Sequence, residues 1–417
     1  MNEEQVFDVA VLGAGIVGTA TALRLALSGH NVCLIDKDEP CAGTSSGNAG
    51  VIASGAIMPL GTPKLWKSLP GMLLSPNPAL KLSLRHLPRM LPWLMDFAKA
   101  SRPSEVKRIS NAMASLSQGS LEEHLQLADI AGCRDRFRMT GYLKIHESQK
   151  SFDGTAQERE WLEEHGIGYE AYSAADIRDL EPYLAPIFTN GYTAKNVASI
   201  DNPKKVGQAY FSAFLQNSGT FQQTAITNLH NHDPNWVEVT TVNGSIKAKK
   251  AVIALGAFSG RVAKKFDVSV KLDTERGYHA VLQHEKGNEV LSRPVYFSDR
   301  SFVLTPTDEG IRMTIGAELA GLDAEANYDW IKTHIPTARR MLPGLSAHPD
   351  KLWLGYRPST PDSLPVIGPA PKDKRIIFAY GHAHLGLTHS AKTARMIEQM
   401  VADKQPNADL SAFAPDR

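Results

Sequence analysis

The chain has 417 residues, with 45 Lys and Arg against 44 Asp and Glu and a formal net charge of +1. It is long enough for two domains with buried cores, and its charge balance gives no reason to expect a nucleic-acid partner. Three cysteines, Cys33, Cys41 and Cys133, are too few and too scattered for a disulfide scaffold or a zinc site. That fits a reducing, cytoplasmic compartment, and the acidic start Met1-Asn2-Glu3-Glu4 lacks the basic and apolar regions of a signal peptide.

The apolar run at residues 6–12 predicts a strand, and Gly13-Ala14-Gly15-Ile16-Val17-Gly18 follows it directly. Gly13 allows a tight turn, Gly15 lets the backbone approach a pyrophosphate, and Gly18 lets the helix pack on the strand. A helix starting near Ile16 and stopping at Gly29 aims its free N–H groups and its positive end at the phosphates. A second strand at residues 31–35 ends at Asp36, 23 residues after Gly13, where a carboxylate meets a ribose diol. Asp36, with Lys37 beside it, favours an unphosphorylated 2′-hydroxyl, as in FAD or NAD, over NADP.

Residues 40–63 carry no charge but are punctuated by Gly, Ser, Asn, Thr and Pro, which reads as a loop approaching a ligand and not a bilayer helix. Residues 57–131 read as helical and loop-rich, with amphipathic spacing at 121–131. Residues 137–146 and 191–200 predict strands of a second sheet, continued by 267–283 and 295–317, with a helix within 323–341. Pro203–Gln216 predicts a helix, 224–229 a strand, and 236–242 with 245–248 a hairpin around Asn243-Gly244. The run from Lys250 to Ser259 reads as a buried strand ending in a small-residue turn at Ala254, Gly256 and Ala257.

Two later blocks carry chemistry. Arg357 sits between Gly355 and Pro358 in Trp353-Leu354-Gly355-Tyr356-Arg357-Pro358, and a planar guanidinium held rigidly suits bidentate capture of a carboxylate. Residues 376–380 predict a strand running through Gly381-His382-Ala383-His384-Leu385-Gly386-Leu387-Thr388 into a helix at 389–401. His382 and His384 lack a carboxylate partner, so no metal site is expected and both are read as packing or hydrogen-bonding near a cofactor.

With these blocks, the sequence resembles the D-amino acid oxidase-like superfamily of FAD enzymes, and most of all its bacterial D-amino acid dehydrogenase branch. The anchors are Gly13-x-Gly15-x-x-Gly18, Thr44-Ser45-x-x-Asn48-Ala49-Gly50, Gly355-Tyr356-Arg357-Pro358 and Gly381-His382-x-x-Leu385-Gly386-Leu387-Thr388. The resemblance implies an α/β fold: a Rossmann-like, glutathione reductase-type FAD domain (1–55, 203–262 and 345–417) interwoven with a mixed-sheet α+β substrate domain (56–202 and 263–344). It implies non-covalent FAD, since no cysteine follows Cys133. The implied cofactor residues are Gly13, Gly15, Ile16, Val17, Gly18, Asp36, Lys37, Thr44, Ser45, Asn48, Ala49, Gly50, Val51, Ile226, Ala254, Gly256, Gly381, Leu385, Gly386, Leu387 and Thr388. Arg357 and Tyr278 are the implied catalytic and carboxylate-binding pair, with His279 and His384 beside the substrate.

The implied activity is oxidative deamination of D-amino acids to 2-oxo acids and ammonia, by hydride transfer from Cα to flavin N5. Arg276-Gly277-Tyr278-His279 is similar to dehydrogenases of cyclic D-imino acids such as cis-4-hydroxy-D-proline, an alternative substrate class. The same motifs also suit an oxygen-using oxidase of the glycine or sarcosine kind, or a non-catalytic FAD-fold binding protein. Residues 40–95 contain no acid, but Lys64, Lys67, Lys81, Arg85 and Arg89 stand among Leu65, Trp66, Leu69, Met72, Leu73, Leu74 and further apolar side chains. Such a block suits either an anionic membrane surface with a quinone or other electron-transfer partner on the inner face, or helices covering a pocket with a solvated basic side.

Overall fold

The computed structural model describes residues 6–66, 80–406 and 409–417. Lys67, Leu69, Met72, Leu73 and Leu74 of the basic-apolar block lie outside the described residues.

The first sheet grows from the apolar runs that open the chain. Val6–Leu12 lies between Val32–Asp36 and Gly244–Ile253, parallel to both. Thr220–Gln223 extends it beyond Val32–Asp36, and Ile376–Tyr380 extends it beyond Gly244–Ile253. Alternate residues serve opposite faces, as the strand period requires. Val9, Val11 and Leu34 pack with the helices Ile16–Leu27, Pro203–Gln216 and Gly386–Val401. Ala10, Leu12 and Ile35 pack with Val237, Val239 and Phe378 on the other side. Ile226–His230, Val237–Thr241 and Gly244–Ile253 form an antiparallel meander, so the last strand belongs to both arrangements. The second arm of the expected hairpin and the expected buried strand are thus one continuous strand.

The second sheet runs in the order Lys351–Ser359, Asp273–Leu282, Gly310–Leu319, Phe302–Thr307, Val295–Phe297, Leu143–His146, Asn190–Ala194, Tyr169–Ser173. One face packs on the short helices Tyr328–Lys332 and Ile335–Met341 through Tyr278, Ala280, Met313, Trp330 and Ile335. The single helix expected within 323–341 is therefore two. Lys351–Ser359 pairs along nine residues with Asp273–Leu282, so this part of the expected 345–417 cofactor segment belongs to the second sheet. The chain returns to the first sheet only with Val366–Pro369 and Ile376–Tyr380.

Two expected strands are each split between sheets. Residues 137–146 divide into Phe137–Arg138 and Leu143–His146, with Gly141 at φ +81 between them. Residues 191–200 divide into Asn190–Ala194 and Ala198–Ile200, with Asn196 at φ +56. Phe137–Arg138, Ala198–Ile200 and Val51–Ile52 form a small third sheet joining the two large ones. At each change of sheet the chain passes through a left-handed residue, Gly141 or Asn196, within a short break between strands. Among the described residues, no helix is long and apolar enough to cross a membrane.

Candidate active site

One cavity of about 1320 Å³ runs between the two sheets, from Asp36 and Ile226 at one end to Lys144 and Trp66 at the other. It exceeds the roughly 300–1,000 Å³ usual for a small-molecule pocket.

The glycine fingerprint shapes the first end. Gly13 stands at φ +103, and a β-carbon there would lie 2.5 Å from the Ala254 carbonyl oxygen. One at Gly18 would lie 1.8 Å from the Gly13 carbonyl oxygen, so the helix crosses its own turn at backbone contact. At Gly15 a β-carbon would meet only Ser45 Oγ, at 3.4 Å, and would fill the cavity itself. The Ile16 amide donates to Ser45 Oγ at 3.0 Å, and the Ala14 amide donates to Asp36 Oδ2 at 2.7 Å. Asp36 and the helix N-terminus are thereby held against one another across the crevice between neighbouring parallel strands.

The loop at 44–50 is held chiefly from the second sheet. Thr44 Oγ1 donates to the Tyr356 carbonyl and accepts from the Tyr356 amide, both at 3.1 Å. Arg312 Nη1 donates to the Asn48 carbonyl at 2.7 Å, and Thr305 Oγ1 donates to the Ala49 carbonyl at 3.0 Å. Arg312 is buried, and burial pulls its pKa below the usual arginine value. At the far side, Thr388 Oγ1 accepts from the Ala53 amide and donates to the Val51 carbonyl, joining the loop to the start of Gly386–Val401. That helix aims its N-terminus into the cavity through Gly386, Leu387 and Thr388.

Most of the expected cofactor residues line this cavity: Gly13, Gly15, Ile16, Val17, Asp36, Lys37, Thr44, Ser45, Asn48, Ala49, Val51, Ile226, Ala254, Gly256, Leu385, Gly386, Leu387 and Thr388. Gly18, Gly50 and Gly381 instead shape the backbone behind it. Gly50 (φ +70) runs beside the Ile200 carbonyl, and Gly381 (φ +85) beside Thr360.

Arg357 lines the cavity, but its frame is not Gly355 and Pro358. The pairs Arg276–Glu318 and Tyr278–Ile315 leave one extra residue on the Gly310–Leu319 strand opposite Gly277. This bulge frees the Gly316 carbonyl, which accepts from Arg357 Nη1 at 2.8 Å. The guanidinium crosses the sheet over Gly277, where any β-carbon would collide with it. Glu275 stands opposite Arg357 on the neighbouring strand. Burial raises the pKa of the Glu275 carboxyl, and the Arg357 charge opposes that rise. Burial likewise lowers Arg357 from the usual arginine value, with Glu275 opposing.

The expected pairing of Tyr278 with Arg357 is corrected by the structure. The two side chains leave their strands on opposite faces, as neighbouring positions 277 and 278 must. Tyr278 is fully buried on the helix side, donates to Glu318 Oε2 at 2.6 Å and accepts from the Asn327 amide at 3.0 Å. His279 also stops short of the cavity. It stacks on Trp353 with centroids 4.7 Å apart, and its Nδ1 meets the Gly47 carbonyl at 3.2 Å. Burial holds its pKa down to about 3, so it supports the 44–50 loop as a neutral ring. His384 does line the cavity, its ring exposed to that space; the protein packed around it, with Arg357 and Lys144 nearby, lowers its pKa to about 4.

Sequence reasoning passed over Lys144, Glu158, Tyr142 and Glu275, all of which line the cavity. The available signal was a charged residue set singly inside an apolar strand, as Lys144 is between Leu143 and Ile145.

Fold and cavity together define a dinucleotide-binding α/β protein built on two large sheets. The chain belongs to the family of FAD dependent oxidoreductases whose model matches residues 8–400. It is 31% identical over 416 residues to a D-amino-acid oxidase of Bradyrhizobium diazoefficiens, with 98% of each chain covered. It is 26% identical over 414 residues to a D-amino acid dehydrogenase 2 of Mesorhizobium japonicum, covering 96% of this chain and 98% of that one. Among solved structures, an L-proline dehydrogenase from P. horikoshii superposes with a TM-score of 0.76 at 17% identity, covering 99% of this chain and 98% of that one. FAD is the cofactor of the family, and the residues present fit it. The glycine cradle and helix N-terminus suit a pyrophosphate, Asp36 suits a ribose diol, and the cavity continues far enough to take the ring system.

Proposed function

We propose that the protein oxidatively deaminates D-amino acids to 2-oxo acids and ammonia, passing electrons to a quinone or another acceptor besides oxygen. The observation that carries the reading is Arg357, a guanidinium laid over Gly277 at the cavity wall and tied by one nitrogen to the Gly316 carbonyl. Its remaining N–H groups suit the planar fork of a carboxylate. The D-amino acid relatives support the D series.

FAD, when bound, supplies the two-electron acceptor for the substrate's α-hydrogen. Arg357 fixes the carboxylate and so the direction of the Cα–H bond. The neutral imidazole of His384 accepts a hydrogen bond from the substrate ammonium, which must lose a proton before the α-hydrogen leaves as hydride. Activity therefore rises toward alkaline pH as the free amine becomes populated. Leu80, Leu82, Trp93 and Phe97 also line the cavity and keep water from the reacting carbon while the α-hydrogen leaves. The imine product then takes up one water to give the 2-oxo acid and ammonia.

The acceptor side of the reading rests on the surface near residues 84–95. Leu84, Leu91 and Met95 are exposed (82%, 52% and 63%), and Arg85 and Arg89 are exposed beside them. Apolar side chains rimmed by arginines suit an anionic bilayer holding a quinone.

The test is anaerobic bleaching of the bound flavin against matched D- and L-amino acids, including the proline and hydroxyproline series. Bleaching by D-amino acids, slow reoxidation in air and fast reoxidation by a quinone analogue are expected. Bleaching confined to L-amino acids overturns the reading, and peroxide formed as fast as substrate is consumed overturns its acceptor.

A further inference from the structure

At the end of the cavity away from the glycine fingerprint stands a charged pair that the deamination chemistry does not use. Lys144, on Leu143–His146, is ion-paired with Glu158 on the helix Ala156–Glu164. Both side chains retain surface, 22% and 19%, and both line the same cavity as Arg357. The Lys144 ammonium lies over the Tyr192 ring, 5.3 Å from its centroid. Tyr142 lines the cavity next to Lys144, its ring 6.2 Å from that of Tyr296.

We propose that Lys144, Glu158 and Tyr142 form a side-chain subsite selecting substrates that carry an uncharged group with both a donor and an acceptor, above all a carboxamide. The inference rests on the reading of Arg357 as the anchor of the substrate carboxylate. With that end fixed, the substrate's side chain extends along the cavity, and His384 senses the charges of both Arg357 and Lys144.

The selection follows from the pair being a dipole with no net charge. A carboxamide oxygen accepts from the Lys144 ammonium while its NH₂ donates to the Glu158 carboxylate, so both ions keep partners when water leaves. A side-chain carboxylate gains Lys144 but is pressed against Glu158, and an ammonium meets the converse conflict. An aliphatic side chain strips water from both ions and leaves each with the other as its partner and its remaining donors or acceptors unanswered, so the site rejects the apolar isostere. The Lys144 pKa is raised well above its ordinary value, chiefly by Glu158 among the groups that raise it, so the ammonium keeps its proton across the working range.

The experiment uses the flavin-loaded enzyme and three near-isosteric acids that lack the amine and cannot react: succinamate, succinate and 4-methylpentanoate. Binding is read by calorimetry and by perturbation of the flavin spectrum. Succinamate should bind about tenfold or more tightly than either of the others, the margin of hydrogen bonds to charged groups. Glu158→Gln should move the preference to succinate, and Lys144→Met should erase the margin of succinamate over 4-methylpentanoate. Either variant alone decides the point, with unchanged flavin content as the check on folding. Equal binding of the three acids, no binding of any, or an order unmoved by both variants overturns the subsite. If D-amino acids bleach the flavin while the three acids bind equally, the subsite fails and deamination stands. If the acids order as expected and no D-amino acid bleaches the flavin, the deamination reading fails alone.

Discussion

Arg357 and Gly277 occupy one place on two neighbouring strands: a β-carbon at Gly277 would lie 2.4 Å from Arg357 Nη2. Gly277→Ala should therefore displace the guanidinium while leaving the surrounding sheet paired. Because misplacement of a binding group by about 1 Å costs on the order of 100-fold, kcat/KM should fall by about that factor, with normal flavin loading. Arg357→Lys should lose similar ground, since a point charge cannot reproduce the fork or keep the Gly316 contact. Steady-state kinetics beside a flavin absorbance ratio measure both. Unchanged kcat/KM in either variant would remove Arg357 from substrate binding.

Gly18→Ala strikes the other end of the cavity. Its β-carbon would lie 1.8 Å from the Gly13 carbonyl oxygen, and only a shift of the turn or the helix can relieve the clash. The purified variant should carry well under one flavin per chain and regain little on incubation with FAD. Asp36→Asn keeps an oxygen for the Ala14 amide but removes the charge. It should load flavin with a weaker dissociation constant and no loss of fold.

Tyr278→Phe separates a structural tyrosine from a catalytic one. The change removes a hydroxyl buried between Glu318 and the Asn327 amide, at an expected cost of about 1–3 kcal/mol in stability. kcat and KM should stay within about twofold. A melting curve and a kinetic assay on the same sample distinguish this from a drop in turnover with stability intact.

Buried histidines should make the protein acid-sensitive. Burial holds His279 and His382 down to about 3 and His124 to about 4, against an ordinary value of 6.5. Below pH 6.5 the unfolded chain binds protons that the folded chain refuses, so stability falls as pH falls. The contribution is complete above pH 6.5 and lost progressively down to the folded values near 3–4. Each histidine adds a slope approaching about 1.4 kcal/mol per pH unit within that window. Denaturant titrations at pH 7.5, 6 and 5 should show the midpoint moving steadily lower. A flat midpoint would contradict the assignment of these rings as neutral.

The cofactor end of the molecule was legible because its constraints are local. Gly13, Gly18 and Asp36 act within one βαβ unit, where spacing along the chain is spacing in space. Arg357 was legible as a residue but not in its surroundings, since Gly277 and the bulge at Gly316 come from other strands. Tyr278 misled for the same reason: being next to Gly277 in sequence places it on the opposite face of the sheet. Lys144 and Glu158 meet only because a strand and a following helix fold together. Their charges look like ordinary surface residues until that packing is known.

The interweaving of the two sheets has a consequence for synthesis. Ile16–Leu27 emerges from the ribosome early, but its packing partner Gly386–Val401 is nearly the last helix made. At translation rates of roughly 5–20 residues per second, the interval is on the order of tens of seconds. During it the apolar cluster that holds Ala20, Leu23 and Ala26 lacks Leu387, Ala391, Ala394 and Ile397. Chains cut short before residue 376 also lack the strand Ile376–Tyr380, which closes the parallel sheet. A nascent chain thus carries the complete glycine fingerprint for most of its synthesis before the residues 382–388 that line the other part of the same cavity exist.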